Sequence, residues 1–118
     1  MSYLVDTSVL IARGLAQTDD WSISAVTAGE LRTGVLTAQG GGTRAQRLGL
    51  LEAVLECVSV VPVDGPVASA YAEIRALTGR EPSNDLWIAA TARAKDLRLV
   101  TADRAMARLP GVITHLVA

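Results

Sequence analysis

Four carboxylates stand far apart along the chain, yet each falls where an apolar, strand-like run gives way to a helical pattern. They are Asp6 in Tyr3-Leu-Val-Asp-Thr-Ser, Glu30 in Ser24-Ala-Val-Thr-Ala-Gly-Glu-Leu, Asp85 in Ser83-Asn-Asp-Leu-Trp-Ile and Asp103 in Leu99-Val-Thr-Ala-Asp. In an open α/β sheet the carboxyl ends of the strands converge on one crevice, which four such acids can share. Carboxylates gathered in one place repel each other and take up protons unless a cation neutralises them. Oxygen donors of this kind select a hard divalent ion, Mg²⁺ or Mn²⁺. Such an ion lowers the pKa of bound water and polarises a scissile phosphate. The chemistry expected is phosphodiester hydrolysis by in-line attack, leaving 5′-phosphate and 3′-hydroxyl ends.

Each acid also has an ordinary structural explanation. Asp6 and Asp103 can be helix N-caps, and Asp85 can favour the positive end of a helix dipole. Thr27-Ala-Gly-Glu30 reads as a capping box, with Glu30 reaching back to the Thr27 backbone N–H. Together the four are harder to explain as caps. Asp6 directly follows an apolar strand, where Ser or Thr would cap equally well. Glu30 and Asp85 are expected in the first turns of their helices, pointing into the same crevice as Asp6. None of the four has a basic residue at i+3 or i+4 to pair with.

Other catalytic schemes fail on residue inventory. His115 is the single histidine, so a two-histidine acid–base mechanism cannot be built from one chain. It lies in a terminal strand, and a structural role is expected for it. No Gly-x-Ser-x-Gly elbow is present, and neither a phosphate-binding loop with Lys-Ser/Thr nor a Gly-x-Gly-x-x-Gly turn follows a strand. Cys57 is expected to pack as a small apolar side chain, and Lys95 to be an exposed helix end.

The elements that must position the acids follow from hydrophobic period. Apolar, β-branched runs alternate with helical stretches, the pattern of an α/β domain with a parallel sheet. Strands are predicted at Tyr3–Val5, Trp21–Ser24, Val58–Val63, Arg98–Thr101 and Val112–Leu116. Helices are predicted at Ser8–Leu15, Thr27–Thr37, Ala45–Glu56, Pro66–Thr78 and Asn84–Ala94, with a short extra turn at Arg104–Leu109 before Pro110-Gly111. Gln39-Gly-Gly-Gly-Thr43 is too glycine-rich for a helix interior and reads as a flexible connection carrying Arg44 and Arg47 beyond it.

With 118 residues, half of them apolar, the chain is expected to form one globular domain over residues 1–118. Its net charge of −1 becomes +3 once the four acids are set aside as neutralised, and ten of its eleven basic residues are Arg, whose planar fork suits phosphate. Aromatics are too few for base-stacking platforms. A lone cysteine excludes an intrachain disulfide, and no leader-like start or membrane-length apolar run is visible, so a cytoplasmic location is expected.

Four motifs in order, Val5-Asp6-Thr7-Ser8, Ser24-x-x-Thr27-x-x-Glu30-Leu31-x-x-Gly34, Asn84-Asp85-x-x-Ile88-Ala-Ala-Thr-Ala92 and Leu99-Val-Thr101-x-Asp103, span almost the whole chain. In this combination the chain resembles PIN-domain ribonucleases, specifically the VapC-type toxins of bacterial type II toxin–antitoxin pairs. The resemblance implies a three-layer α/β/α domain with a five-stranded parallel sheet. It implies that Asp6, Glu30, Asp85 and Asp103 coordinate Mg²⁺ or Mn²⁺, that Thr101 positions a water or a metal ligand, and that Thr7 or Ser8 assists. It also implies an RNA substrate (tRNA, rRNA or mRNA), a homodimer and no membrane partner. A cognate VapB-like antitoxin would inhibit the enzyme through a segment lying over the active-site groove, docked on the glycine-rich loop and the helices at Thr27–Thr37 and Ala45–Glu56. One departure stands out: Met106-Ala107 occupies the place where the family commonly carries a further acid or His followed by Phe, so this fifth polar group is missing.

Two rivals come from other classes. A catalytically silent PIN-like binding module would be expected to have lost one or more acids. An aspartyl-phosphate phosphatase or receiver needs an Asp two residues after the first one, where Ser8 stands, or a Lys at a late strand end, whereas Lys95 lies in a helix.

Overall fold

Leu4 and Val5 are adjacent and both fully buried, which is possible only for a strand covered on both faces. The computed structural model describes residues 2–15 and 20–117 and bears this out. Strands β1 (Tyr3–Val5), β2 (Trp21–Ser24), β3 (Ser59–Val61), β4 (Arg98–Thr101) and β5 (Thr114–Leu116) form one parallel sheet in the order β3-β2-β1-β4-β5. Helices α1 (Thr7–Arg13), α2 (Ala25–Leu36), α3 (Gly41–Cys57), α4 (Gly65–Leu77) and α5 (Ser83–Ala94) supply the crossovers, with a 3₁₀ turn at Met106–Arg108 before β5.

Strand alternation divides the core into two layers. Leu4 and Leu99 point to one face and pack with Val67, Ile74, Leu86 and Ile88 of α4 and α5. Val5, Ile23 and Val100 point to the other and pack with Val9, Leu10, Leu31 and Val54 of α1, α2 and α3. The fold is therefore the expected α/β/α sandwich. β1 and β4 are neighbours at its centre, in register from Tyr3 with Arg98 to Val5 with Val100. Their carboxyl ends consequently deliver Asp6 and Thr101 to the same edge. Among the described residues no helix is long and apolar enough to cross a membrane.

Several local expectations are corrected. The glycine-rich segment is not a flexible connection: Gly41 and Gly42 open α3, and only Thr37 to Gly40 link it to α2. Glycine costs a helix backbone entropy, roughly 0.5–1 kcal/mol per residue relative to Ala, which a helix of 17 residues can absorb at its first two positions. Gly40 supplies the sharp entry with φ +91°, ψ 154°. The third and fifth strands are shorter than predicted, ending at Val61 before Pro62 and beginning only at Thr114. Cys57 is exposed rather than packed. Lys95 is half-buried at the end of α5, where its Nζ lies 2.5 Å from Asp64, the side chain that caps α4 through the Val67 N–H.

Candidate active site

Asp6 occupies the N-cap position of α1, yet its side chain caps no helix N–H. Two hydroxyls hold it instead. Its Oδ2 accepts from Ser8 Oγ at 2.7 Å and from Thr101 Oγ1 at 2.8 Å. Each hydroxyl in turn accepts a backbone N–H, Ala102 on Ser8 at 3.1 Å and Asp103 on Thr101 at 3.0 Å. A carboxylate only 4% exposed is costly to bury without such donors. Among the described residues, Oδ1 has no hydrogen-bond partner and remains available.

Glu30 lies in the second turn of α2, not the first, because the helix starts at Ala25 with Ser24 as its cap, accepting from the Val26 N–H at 3.0 Å. The capping-box reading is therefore wrong. Thr27 is a buried interior residue whose Oγ1 sits 3.0 Å from Thr7 Oγ1, and Thr7 donates to Glu30 Oε1 at 2.7 Å. Thr7 and Ser8 thus divide the work between two acids. Asp103 plays a double part: its Oδ1 accepts the Ala105 N–H at 2.8 Å and turns the chain toward the 3₁₀ segment.

Asp85 sits in the first turn of α5, and among the described residues no hydrogen bond reaches its carboxyl. Burial, and behind it the negative charges of Asp6, Asp103 and Glu30, push its carboxyl up to about 6. The structure brings Asp6, Asp103 and Glu30 close enough to Asp85 for their charges to act on it. No three of the described His, Cys, Asp or Glu side chains are grouped tightly enough to close on one ion by themselves. The donor set nevertheless suits Mg²⁺ or Mn²⁺, since such ions are usually held by one or two carboxylates with waters and substrate phosphate completing the shell. An all-oxygen, four-carboxylate edge with one spare Asp6 oxygen fits that mode.

This architecture has known counterparts. The family model of the PIN domain matches residues 3–112, nearly the full chain. The chain belongs to the PIN-domain family. It is 38% identical to ribonuclease VapC4 of Mycobacterium tuberculosis, with 92% of each chain covered. It is 40% identical to ribonuclease VapC5 of the same organism, over 92% of this chain and 87% of VapC5. Among solved structures, the VapBC-5 toxin–antitoxin complex from M. tuberculosis contains a chain that superposes with a TM-score of 0.79 at 37% identity, covering 98% of this chain and 97% of that one.

Two open cavities flank Glu30 in this PIN domain. One, of about 530 Å³, is lined by Val26, Gly29, Thr33 and Asn84. The other, of about 390 Å³, is more apolar and is formed by Ile11, Leu31, Gly34, Gln46, Arg47 and Leu50. Ile11, 70% exposed, stands at its rim. The role of Thr27 as part of the Glu30 anchor is not visible from spacing alone, since the same residue reads as a cap. The signal lies in Ser24, a better cap at the end of the preceding strand.

Proposed function

We propose that this PIN domain is a metal-dependent endoribonuclease and the toxin of a toxin–antitoxin pair. The observation that carries the reading is the position of Asp85, held in the combined field of Asp6, Asp103 and Glu30 at the carboxyl edge of the sheet. The ribonuclease names of its relatives VapC4 and VapC5 supply the substrate class. In this reading Asp6, Glu30, Asp85 and Asp103 hold Mg²⁺ or Mn²⁺. An ion held there would supply an activated water and charge neutralisation at the scissile phosphate.

The chain's own residues pre-organise that site. Ser8 and Thr101 lock one oxygen of Asp6 and leave the other without a hydrogen-bond partner among the described residues. Thr7 fixes Glu30. Thr101 also holds the backbone of Asp103, so two acids share one hydroxyl as their support. Partners that orient metal ligands in this way hold them ready for the ion. A single-stranded loop is the expected point of attack, because its phosphates are accessible to an edge of this shape.

The partner proposed is a VapB-like antitoxin, in keeping with the toxin–antitoxin complex that the chain resembles. The apolar cavity between α1, α2 and α3, with exposed Ile11 at its rim and Glu30 in its wall, is the surface assigned to it. A homodimer acting in the cytoplasm completes the proposal.

A silent binding module is favoured by one observation, the lack among the described residues of three acids grouped tightly around a point. Incubating the purified protein with a pool of tRNA and rRNA, with Mg²⁺ or Mn²⁺, decides between them. Discrete cuts with 5′-phosphate ends, lost with EDTA and in Asp6→Ala, are the expected result. A 2′,3′-cyclic phosphate product overturns the mechanism, and a folded, metal-saturated protein that cuts nothing supports the silent module.

A further inference from the structure

Asp85 stands on a helix that begins without a side-chain cap: Pro82 is the N-cap residue of α5 and cannot bond the first-turn N–H groups through its side chain. What fixes that helix start lies on α4. Arg75 Nη1 donates to the carbonyls of Gly79 and Glu81, both at 3.1 Å. Its Nη2 donates to Tyr71 Oη and to Ser83 Oγ, each at 3.3 Å. One guanidinium therefore pins the α4–α5 connection at Gly79 and Glu81 and the first residue of α5 at Ser83. The same group lies 5.6 Å from the centre of the Tyr71 ring. Tyr71 is in turn stacked on Trp87 with ring centres 3.9 Å apart and planes 15° from parallel. The hydrogen bonds from Arg75 and Ser83 also draw the Tyr71 hydroxyl below its ordinary pKa.

Asp85 is bracketed by these contacts, with Ser83 two residues before it and Trp87 two residues after. We propose that Arg75, acting with Tyr71, is a positioning residue that sets Asp85 at the sheet edge. The inference rests on the nuclease reading given above. The planar fork matters more than the charge, because two separate guanidinium nitrogens reach these four acceptors, whereas an ammonium has three N–H groups on one nitrogen.

Arg75→Lys, Arg75→Met and Tyr71→Phe test it, beside Arg80→Ala as an exposed control in the same connection. Each is measured for Mn²⁺ affinity by calorimetry, for kcat and KM on RNA, for melting temperature, and for amide exchange over residues 82–87. Both Arg75 variants are expected to weaken Mn²⁺ binding about tenfold, the scale usual for residues that orient a metal ligand. The loss of activity should fall on kcat rather than KM, with Lys no better than Met, a smaller effect in Tyr71→Phe and none in Arg80→Ala. Where Arg75→Met does not fold, Arg75→Lys and Tyr71→Phe carry the test. Wild-type Mn²⁺ affinity and kcat in folded Arg75→Lys overturn the proposal. If the wild-type protein binds no Mn²⁺, it is the nuclease reading that fails, and amide exchange then decides. Faster exchange at 82–87 with an unchanged melting temperature supports positioning, and unchanged exchange overturns it.

Discussion

Thr101 Oγ1 lies 2.8 Å from Asp6 Oδ2 and 3.0 Å from the backbone nitrogen of Asp103, so one buried hydroxyl joins two acids that are far apart in sequence. It donates to the first and accepts from the second, which a hydroxyl can do through a single oxygen.

Removing that hydroxyl leaves the Asp103 N–H and one oxygen of Asp6 short of a partner in a buried place. Thr101→Val is therefore expected to cost about 1–3 kcal/mol in urea unfolding, while Thr101→Ser recovers most of it. Coincident unfolding curves for Thr101→Val and wild type would show that the hydroxyl holds nothing.

The raised Asp85 carboxyl predicts a direction for stability against pH. Its folded value of about 6 lies above the ordinary 3.8, so the folded state binds this proton more tightly than the unfolded chain does. The resulting stability is fully present below the unfolded value and is lost as pH rises through the folded one. Relative to Asp85→Asn, the melting temperature of the metal-free protein should fall between about pH 4 and about pH 7. Saturating Mn²⁺ should reverse the slope, since it stabilises the ionised form. Parallel pH profiles in the two metal-free proteins would remove the electrostatic argument.

Among the described residues, Glu30 owes its side-chain donor to Thr7. With that donor gone, the carboxylate samples other rotamers, and Thr7→Val should weaken Mn²⁺ binding about tenfold while Thr7→Ser retains it. Calorimetric titration checks this, and equal affinity in Thr7→Val and wild type would leave Thr7 with packing alone.

Neighbouring glycines should respond with opposite signs. Gly40 sits at φ +91°, ψ 154°, a region almost closed to other residues, so Gly40→Ala is expected to cost about 1–3 kcal/mol. Gly42 is inside α3, and a methyl group there meets nothing within 4 Å. Gly42→Ala should stabilise by about 0.4–1 kcal/mol, largely by restricting the unfolded chain. Denaturant titration of both settles the entry geometry of α3. Equal effects would mean that the helix does not start where the backbone places it.

The strands were legible because both faces of a parallel sheet are buried and leave adjacent apolar residues where a half-exposed strand would alternate, as in Tyr3-Leu-Val and Leu99-Val. The acids were legible as a set because parallel strands end at one edge. The start of α3 was not, since glycine propensity describes helix interiors and says little about a first turn. Glu30 was placed one turn too early because two caps compete, Ser24 and Thr27, and only the end of β2 decides between them. The Arg75 network was hidden for a different reason. A single Arg in the last turn of a helix looks like a solvated charge until the loop folds its carbonyls back over it.

The pairing of Asp6 with Thr101 spans 95 positions of sequence, and β1 has no neighbour on one side until β4 is made. Synthesis from the amino terminus therefore yields Asp6, Glu30 and Asp85 while the strand that fixes the first of them does not yet exist. A nascent chain on the ribosome carries unassembled parts rather than a working edge. The edge is structurally complete only once residues 98–103 have been made and paired with β1, because Thr101 is one of the two hydroxyls that hold Asp6.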